Sequence, residues 1–309
     1  MRWLWMGAAT AGACATAGAL ALVVGTWAWR RATADAVTRL AAAEGTLTDG
    51  TPDGGPLDGT LPRSPALDTA DLPPPVARYL ALALGVDAAG HRVRRVRHAH
   101  VRWAGEFQLR PGGGWSPFSA TQDFTARPPG FVWDAEVRML PIVPVRVRDG
   151  YVARAASMHA RVGAVVPLVD ERGTGPLASS ALARWLGEAV WFPTALVPGA
   201  GVTWEAVDAA SARATVTDGD VRVTATFHFA PTGEPTRMTA LRYRDVNGTP
   251  ELTPFEGRYG PLVAMGGVRV PRDAEVAWLL PQGRFPYWRG RPTAVTYEHE
   301  PPAPRHAMP

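Results

Sequence analysis

From Ala99 to Leu280 the chain alternates apolar and polar side chains repeatedly, and this period of two constrains the fold more than any other feature. Ala99, Val101, Trp103, Phe107 and Leu109 share one side of a segment whose other side carries His98, His100, Arg102, Glu106 and Gln108. The same pattern runs through Phe131–Val137, Val143–Arg148, Val202–Ala206, Ala212–Val216, Val221–Phe229 and Ala274–Leu280. Successive side chains of a strand point to opposite faces, so each run predicts a strand with one buried face. Turn residues separate them: Pro111-Gly112-Gly113-Gly114, Arg127-Pro128-Pro129-Gly130, Asp149-Gly150, Asp218-Gly219, Pro231-Thr232-Gly233 and Asn247-Gly248. Links this short join antiparallel strands, which argues against a doubly wound parallel sheet.

Two segments of the body read as helices. Pro73-Pro74-Pro75 opens Val76–Leu84 and Gly85 closes it, with Pro in the first turn and Gly after the last. The second runs from Ser179 to Trp191, with Ser179 or Ser180 as its cap and Pro193 as its stop. Leu182, Trp185, Leu186 and Ala189 form its apolar stripe. Two helices cannot cover the apolar face of roughly ten or more strands, so the sheet must curl. The expected class is α+β, mostly antiparallel β: a half-barrel or open barrel wrapped around the second helix. Curled sheets of this kind commonly leave an apolar hollow.

Ahead of this body, 27 uncharged residues separate Arg2 from Arg30-Arg31, with Trp3, Trp5, Trp27 and Trp29 at the two ends. At 1.5 Å per residue such a helix reaches about 40 Å, more than the roughly 30 Å of bilayer hydrocarbon. A retained single-pass transmembrane anchor over 1–31 is the expectation, with a cleaved signal and lipidation at Cys14 as alternatives. The arginines flanking it leave the side of the soluble domain open. Residues 32–70 are rich in Gly, Pro, Asp and Thr and read as a flexible linker. The half-barrel domain is expected over 71–300, and 301–309 as a disordered tail.

Cys14 is the single cysteine, which excludes a disulfide or thiolate metal cage in the body. Net charge is +4, and every basic residue other than histidine is arginine. The dense run His91–His98 has no aromatic interleaving, so a solvated strand face or a lipid-facing patch fits it better than nucleic acid.

Several segments together resemble a known family. Leu72–Leu80, Pro128–Trp133, Asp149-Gly150-Tyr151, Arg184–Leu196 and Gly267–Pro271 are similar to an uncharacterised bacterial domain of unknown function that often follows a membrane helix. The resemblance implies a LolA-like half-barrel, a fold that in periplasmic carriers holds lipid or acyl chains in its concave face. It implies no catalytic residues.

His98 and His100 share a strand face, but no third ligand is evident and no metal is expected. Arg184 and Glu188 stand one turn apart in the less favourable order, a hint of partners elsewhere. No nucleophile elbow, phosphate loop or dinucleotide fingerprint is present. The expected function is a membrane-anchored binding or carrier module for an apolar small-molecule ligand such as a lipid or acyl chain. Trp103, Trp133, Trp185, Glu188, Trp204, Phe227 and Trp278 are its cavity candidates. The expected partners are membrane lipid and that ligand, with no nucleic acid, no cofactor and no catalytic residue assigned. The alternatives are an enzyme acting on a membrane-associated substrate, using Glu188, Asp149 or Tyr151, and a structural module whose hollow its own side chains fill.

Overall fold

The computed structural model describes residues 2–45, 72–85, 95–139, 143–199 and 201–300, with side chains in the first stretch from 16 to 43. Helices α1 (Arg2–Gly45) and α2 (Pro74–Leu84) precede six strands: β1 (Val96–Phe107), β2 (Ser116–Thr125), β3 (Gly130–Val137), β4 (Val145–Val152), β5 (Ala155–Val162) and β6 (Val166–Gly173). Helix α3 (Pro176–Glu188) and 3-10 turns at Ala189–Trp191 and Pro193–Leu196 follow. Then come β7 (Val202–Asp208), β8 (Ser211–Asp218), β9 (Val221–Phe229), β10 (Pro235–Val246) and β11 (Thr249–Tyr259). β12 (Leu262–Met265), β13 (Val268–Pro271), β14 (Ala274–Leu280) and β15 (Gly283–His299) complete the chain.

Thirteen strands form one curled sheet in the order β6-β5-β4-β3-β2-β1-β15-β14-β11-β10-β9-β8-β7, while β12 and β13 make a separate hairpin. Neighbours pair antiparallel throughout, and β1 joins the two halves by pairing with β15 from Val96↔His299 to Phe107↔Trp288. The sheet is a half-barrel because its apolar face must be covered, and α3 covers it. This helix links the two edge strands through the trough, touching β3 to β6 on one side and β9 and β10 on the other. Leu182, Trp185, Leu186 and Ala189, the expected stripe, are buried there together with Phe192 and Leu196.

Two local expectations differ. α3 starts at Pro176 behind Gly175 and has no side-chain cap. The Ser180 hydroxyl instead donates to the Tyr243 carbonyl at 2.8 Å, tying the helix to β10. Asp149-Gly150 is not a reversal but lies inside β4; the β4–β5 turn is Ala153-Arg154, both left-handed at φ 49° and 68°. The Asn247-Gly248 turn does join β10 to β11, at φ 54° and 84°.

The trough is clasped at one end. Tyr151 on β4 is fully buried and donates to Asp218 Oδ2 at 2.9 Å, while Arg154 Nε reaches Oδ1 at 3.2 Å. These contacts bridge the two limbs of the sheet, since β4 and β8 are far apart in strand order.

Residues 32–45, expected within a flexible linker, instead continue α1. The helix lies along β2, β3 and β4. Trp29 is buried and its indole donates to Asp134 Oδ1 at 2.9 Å; Arg148 reaches the Trp29 carbonyl at 3.3 Å and the Thr33 hydroxyl at 3.0 Å, 4.7 Å over the indole ring. Asp134 and Arg148 belong to the polar face expected to be solvated. Burial under α1 raises the carboxyl of Asp134 above its usual range and lowers the Arg148 guanidinium. Further along, Leu40 is buried over Gly130, where an added Cβ would sit 2.6 Å from its Cδ1. Residues 46–71 and 301–309, the rest of the linker and the tail, lie outside the described residues. Among the described residues no helix is long and apolar enough to cross a membrane.

Two consequences are testable. Trp29→Ala removes an indole and its hydrogen bond, a loss of about 3–5 kcal/mol for a buried Trp. Hydrogen exchange should then quicken across residues 30–43 while β1 to β4 stay protected; unchanged protection of 30–43 would show that α1 is held by other contacts. Asp218→Ala leaves the Tyr151 hydroxyl buried without an acceptor, at a cost of about 1–3 kcal/mol. Chemical denaturation should show that loss with a folded native baseline, and an unaltered midpoint would remove the clasp as a stabilising element.

Candidate functional site

On the open side of the trough, α3 and the sheet enclose a cavity of about 700 Å³. One wall comes from β3 to β5, through Trp133, Val137, Val145, Val147, Met158 and Ala160. The opposite wall comes from β10, β11, β14 and β15, through Met238, Phe255, Val276, Trp278, Tyr287 and Trp288. α3 contributes Arg184, Gly187 and Glu188, and the turn after it Trp191. Aromatic rings dominate and brace one another. Trp278 stacks on Tyr287 with centroids 5.8 Å apart, and Phe255 meets Trp278 edge-on at 5.5 Å.

Gly187 permits the close approach of α3 to β10, because a Cβ at this position would run into the Met238 methyl. Its carbonyl accepts a hydrogen bond from the Tyr259 hydroxyl at 2.8 Å. Burial pushes the Tyr259 phenol well above its usual range, so it acts as a neutral donor.

One polar cluster stands on this largely apolar lining. Arg184 donates through Nε to Glu188 Oε1 at 2.8 Å and through Nη1 to Asp149 Oδ2 at 2.6 Å. Its guanidinium also lies 4.8 Å from the Phe131 ring and 5.2 Å from the Trp133 ring. Burial works against the charge, but the two carboxylates outweigh it and hold the guanidinium above the usual arginine range. Gln122 Nε2 donates to the second Glu188 oxygen at 2.7 Å. The partners that the Arg-before-Glu order implied are therefore Asp149 on β4 and Gln122 on β2.

Of the seven cavity candidates, Trp133, Glu188 and Trp278 line the cavity. The other four pack elsewhere. Trp103 lies behind Trp191 and Trp288, at 4.9 and 5.7 Å, and Trp185 is buried with its indole donating to the Thr125 carbonyl. Trp204 bonds the Leu196 carbonyl and meets Phe227 edge-on at 5.4 Å. α2 and the Pro193–Leu196 turn fill that end of the concave face, which alternation alone cannot reveal. Tyr151 serves the clasp, away from the cavity lining, whereas Asp149 reaches it.

Arg242 and Arg244, absent from the sequence expectations, also line the cavity. Their signal was the Asn247-Gly248 turn, which marks the end of a strand whose even positions include Met238, Ala240, Arg242 and Arg244.

His98 and His100 flank Asp123, with His100 Nδ1 2.9 Å and His98 Nε2 3.5 Å from Oδ1. The hydrogen bond to Asp123 raises the His100 pKa above its usual value. Among the described residues no group of three or more His, Cys, Asp or Glu is placed to hold a metal ion. Of the basic run, 91–94 lie outside the described residues, while Arg95 reaches the carbonyls of Pro198 and Gly199.

No curated protein matches the chain. Solved structures similar to it include a LolA superfamily protein from Nitrosomonas europaea, 11% identical, covering 74% of this chain and 93% of that one with a TM-score of 0.39. Another is a DUF1329 family protein from Desulfovibrio piger, also 11% identical, covering 69% and 88% with a TM-score of 0.36. A family model matches residues 64–290, well over half of the sequence, and the chain accordingly belongs to the Family of unknown function (DUF6544).

Proposed function

We propose that this protein is a membrane-anchored binding or carrier module that holds an apolar ligand, such as a lipid or acyl chain, in the hollow of its half-barrel. The observation that carries the proposal is the cavity itself. Its volume of about 700 Å³ lies within the roughly 300–1,000 Å³ typical of small-molecule sites. A small closed barrel fills its interior with its own side chains, whereas here open space remains between the β3–β5 wall, the β14–β15 wall and the end of α3. Anchoring rests on the uncharged run that starts at Trp3 and includes the exposed Leu20, Leu22, Val23 and Val24, ahead of the docked Trp29.

Burial of each methylene stabilises a complex by up to about 0.8 kcal/mol, roughly fourfold in affinity. Neutral alcohols of eight to sixteen carbons should therefore displace a fluorescent alkyl probe from the full-length protein with affinities that rise steeply with chain length and then level off. Ala160→Trp, which fills the β5 wall, should abolish displacement in a folded protein. Affinities independent of chain length, or unaffected by Ala160→Trp, would overturn the proposal. Anchoring has its own test: the full-length chain should stay with membranes through an alkaline carbonate wash, and release into the supernatant would remove the anchor.

A second reading has one observation in its favour. Asp149 and Glu188 converge with Arg184 on the cavity wall, where an enzyme acting on a membrane-associated substrate would need polar groups. Against it, hydrogen bonds already engage both carboxylates. A turnover lost in Glu188→Gln but preserved in Ser157→Ala would favour this reading.

A further inference from the structure

We infer that the cavity selects an anionic amphiphile, with Arg242 and Arg244 receiving its carboxylate or phosphate head while its chain lies along the apolar walls. This rests on the proposal that the cavity takes an apolar ligand, and adds the chemistry of the ligand's polar end.

The two residues are separated by one position on β10, so they share its concave face with Met238, which is buried. Arg242 is held by rings and neutral acceptors: its guanidinium lies 4.5 Å from the Phe255 ring and 5.7 Å from that of Trp278. Its Nε donates to the Ser180 carbonyl at 3.2 Å, and its Nη1 reaches the Tyr287 hydroxyl at 3.5 Å. No ion pair within 4.0 Å joins Arg242 or Arg244 to a carboxylate among the described residues. Arg244 Nε is buried and has no hydrogen-bond partner. Two carboxylates belong to the same hairpin, and neither pairs with Arg242 or Arg244 within 4.0 Å. Asp245, at the cavity rim, accepts the Gly248 backbone N–H at 3.1 Å, and Glu251, opposite Arg244 in register, is exposed.

Arg184 shows the contrast within the same cavity. It also sits over two aromatic rings, yet two carboxylates neutralise it. A half-buried guanidinium without a counter-ion is costly, and its planar fork suits a carboxylate or phosphate. An amphiphile satisfies both parts of the cavity at once. Its head supplies the missing charge at β10, and its chain takes the apolar space toward Val147, Met158 and Ala160.

Native mass spectrometry of the full-length protein released from nonionic detergent tests this, with hexadecanoate, hexadecyl phosphate, hexadecanol and inorganic phosphate as separate probes. The two anionic chains should be retained at least tenfold better than hexadecanol, and inorganic phosphate not at all. Arg242→Gln with Arg244→Gln should reduce both anionic chains to the level of hexadecanol while leaving hexadecanol retained, which also reports a folded cavity. Arg244→Gln alone should give an intermediate loss, and a double Lys replacement should keep most of the preference. Equal retention of hexadecanoate and hexadecanol by the wild type would overturn the headgroup assignment and leave the apolar-ligand proposal standing. Retention of no chain at all would overturn both. Inorganic phosphate held as well as hexadecyl phosphate would replace the amphiphile by a free anion.

Discussion

α3 is suspended in the trough by polar contacts on both of its flanks, and the empty space beside it depends on where those contacts hold it. On one side Arg184 and Glu188 bind Asp149 and Gln122, from β4 and β2. On the other, Ser180 and Gly187 exchange single hydrogen bonds with Tyr243 on β10 and Tyr259 on β11. Apolar packing alone is non-directional and would draw a helix as deep into a curved sheet as its side chains permit. Hydrogen bonds have a fixed length, so they set a distance. Loss of Arg184 would leave two half-buried carboxylates side by side without their shared cation. That makes the helix position hard to change by small adjustments.

The sheet itself has two open edges, β6 and β7, and each exposes strand backbone. Their management is asymmetric. The Tyr151–Asp218–Arg154 clasp draws the β4 and β8 ends together. α1 then braces β2 to β4 from outside, through Trp29, Thr33 and Leu40. The limb that carries Asp149 is thus fixed on its convex face by α1 and on its concave face by α3. Near the β5–β6 turn, Gly25 of α1 leaves no space for a Cβ beside Val165. Leu22, Val23 and Val24, which precede it, are exposed, as are Val166 and Leu168 on β6. If the N-terminal run enters a bilayer, this helix carries the β6 edge of the half-barrel toward the lipid surface with it.

The fold was largely legible because alternation and turn chemistry agree over most of the sheet. β1, β3, β8 and β9 all have a regular apolar face, and turns such as Asn247-Gly248 have the residues their left-handed dihedrals require. Misreadings arose where one rule was broken. Ala153 and Arg154 adopt left-handed angles without glycine, so the β4–β5 turn was invisible, and Asp149-Gly150 drew attention instead. The polar face of β3 and β4 reads as solvated, yet Asp134 and Arg148 are docking groups for a helix more than 100 residues away in sequence. β10 has arginines at positions where alternation asks for apolar residues, so its inner face could not be recognised. Sequence rules fail most often where a residue is selected for something other than stability. The headgroup role proposed for Arg242 and Arg244 would place the missed cavity residues on β10 in that class.

The three arginines that line one cavity therefore differ in physical standing. Arg184 is paired with two carboxylates in a cluster of net charge −1, and its removal would injure the protein whether or not a ligand exists. Arg242 and Arg244 contribute positive charge to the same hollow, with no carboxylate within 4.0 Å of either among the described residues. The aromatic neighbours of Arg242 can orient its guanidinium, but ring faces return only about 0.5–2 kcal/mol, less than the cost of desolvating a cation. A protein that needed only a filled core would gain by replacing both with leucine or methionine. Their presence at the junction of a polar rim and an apolar hollow is accounted for when a counter-charge arrives with the ligand.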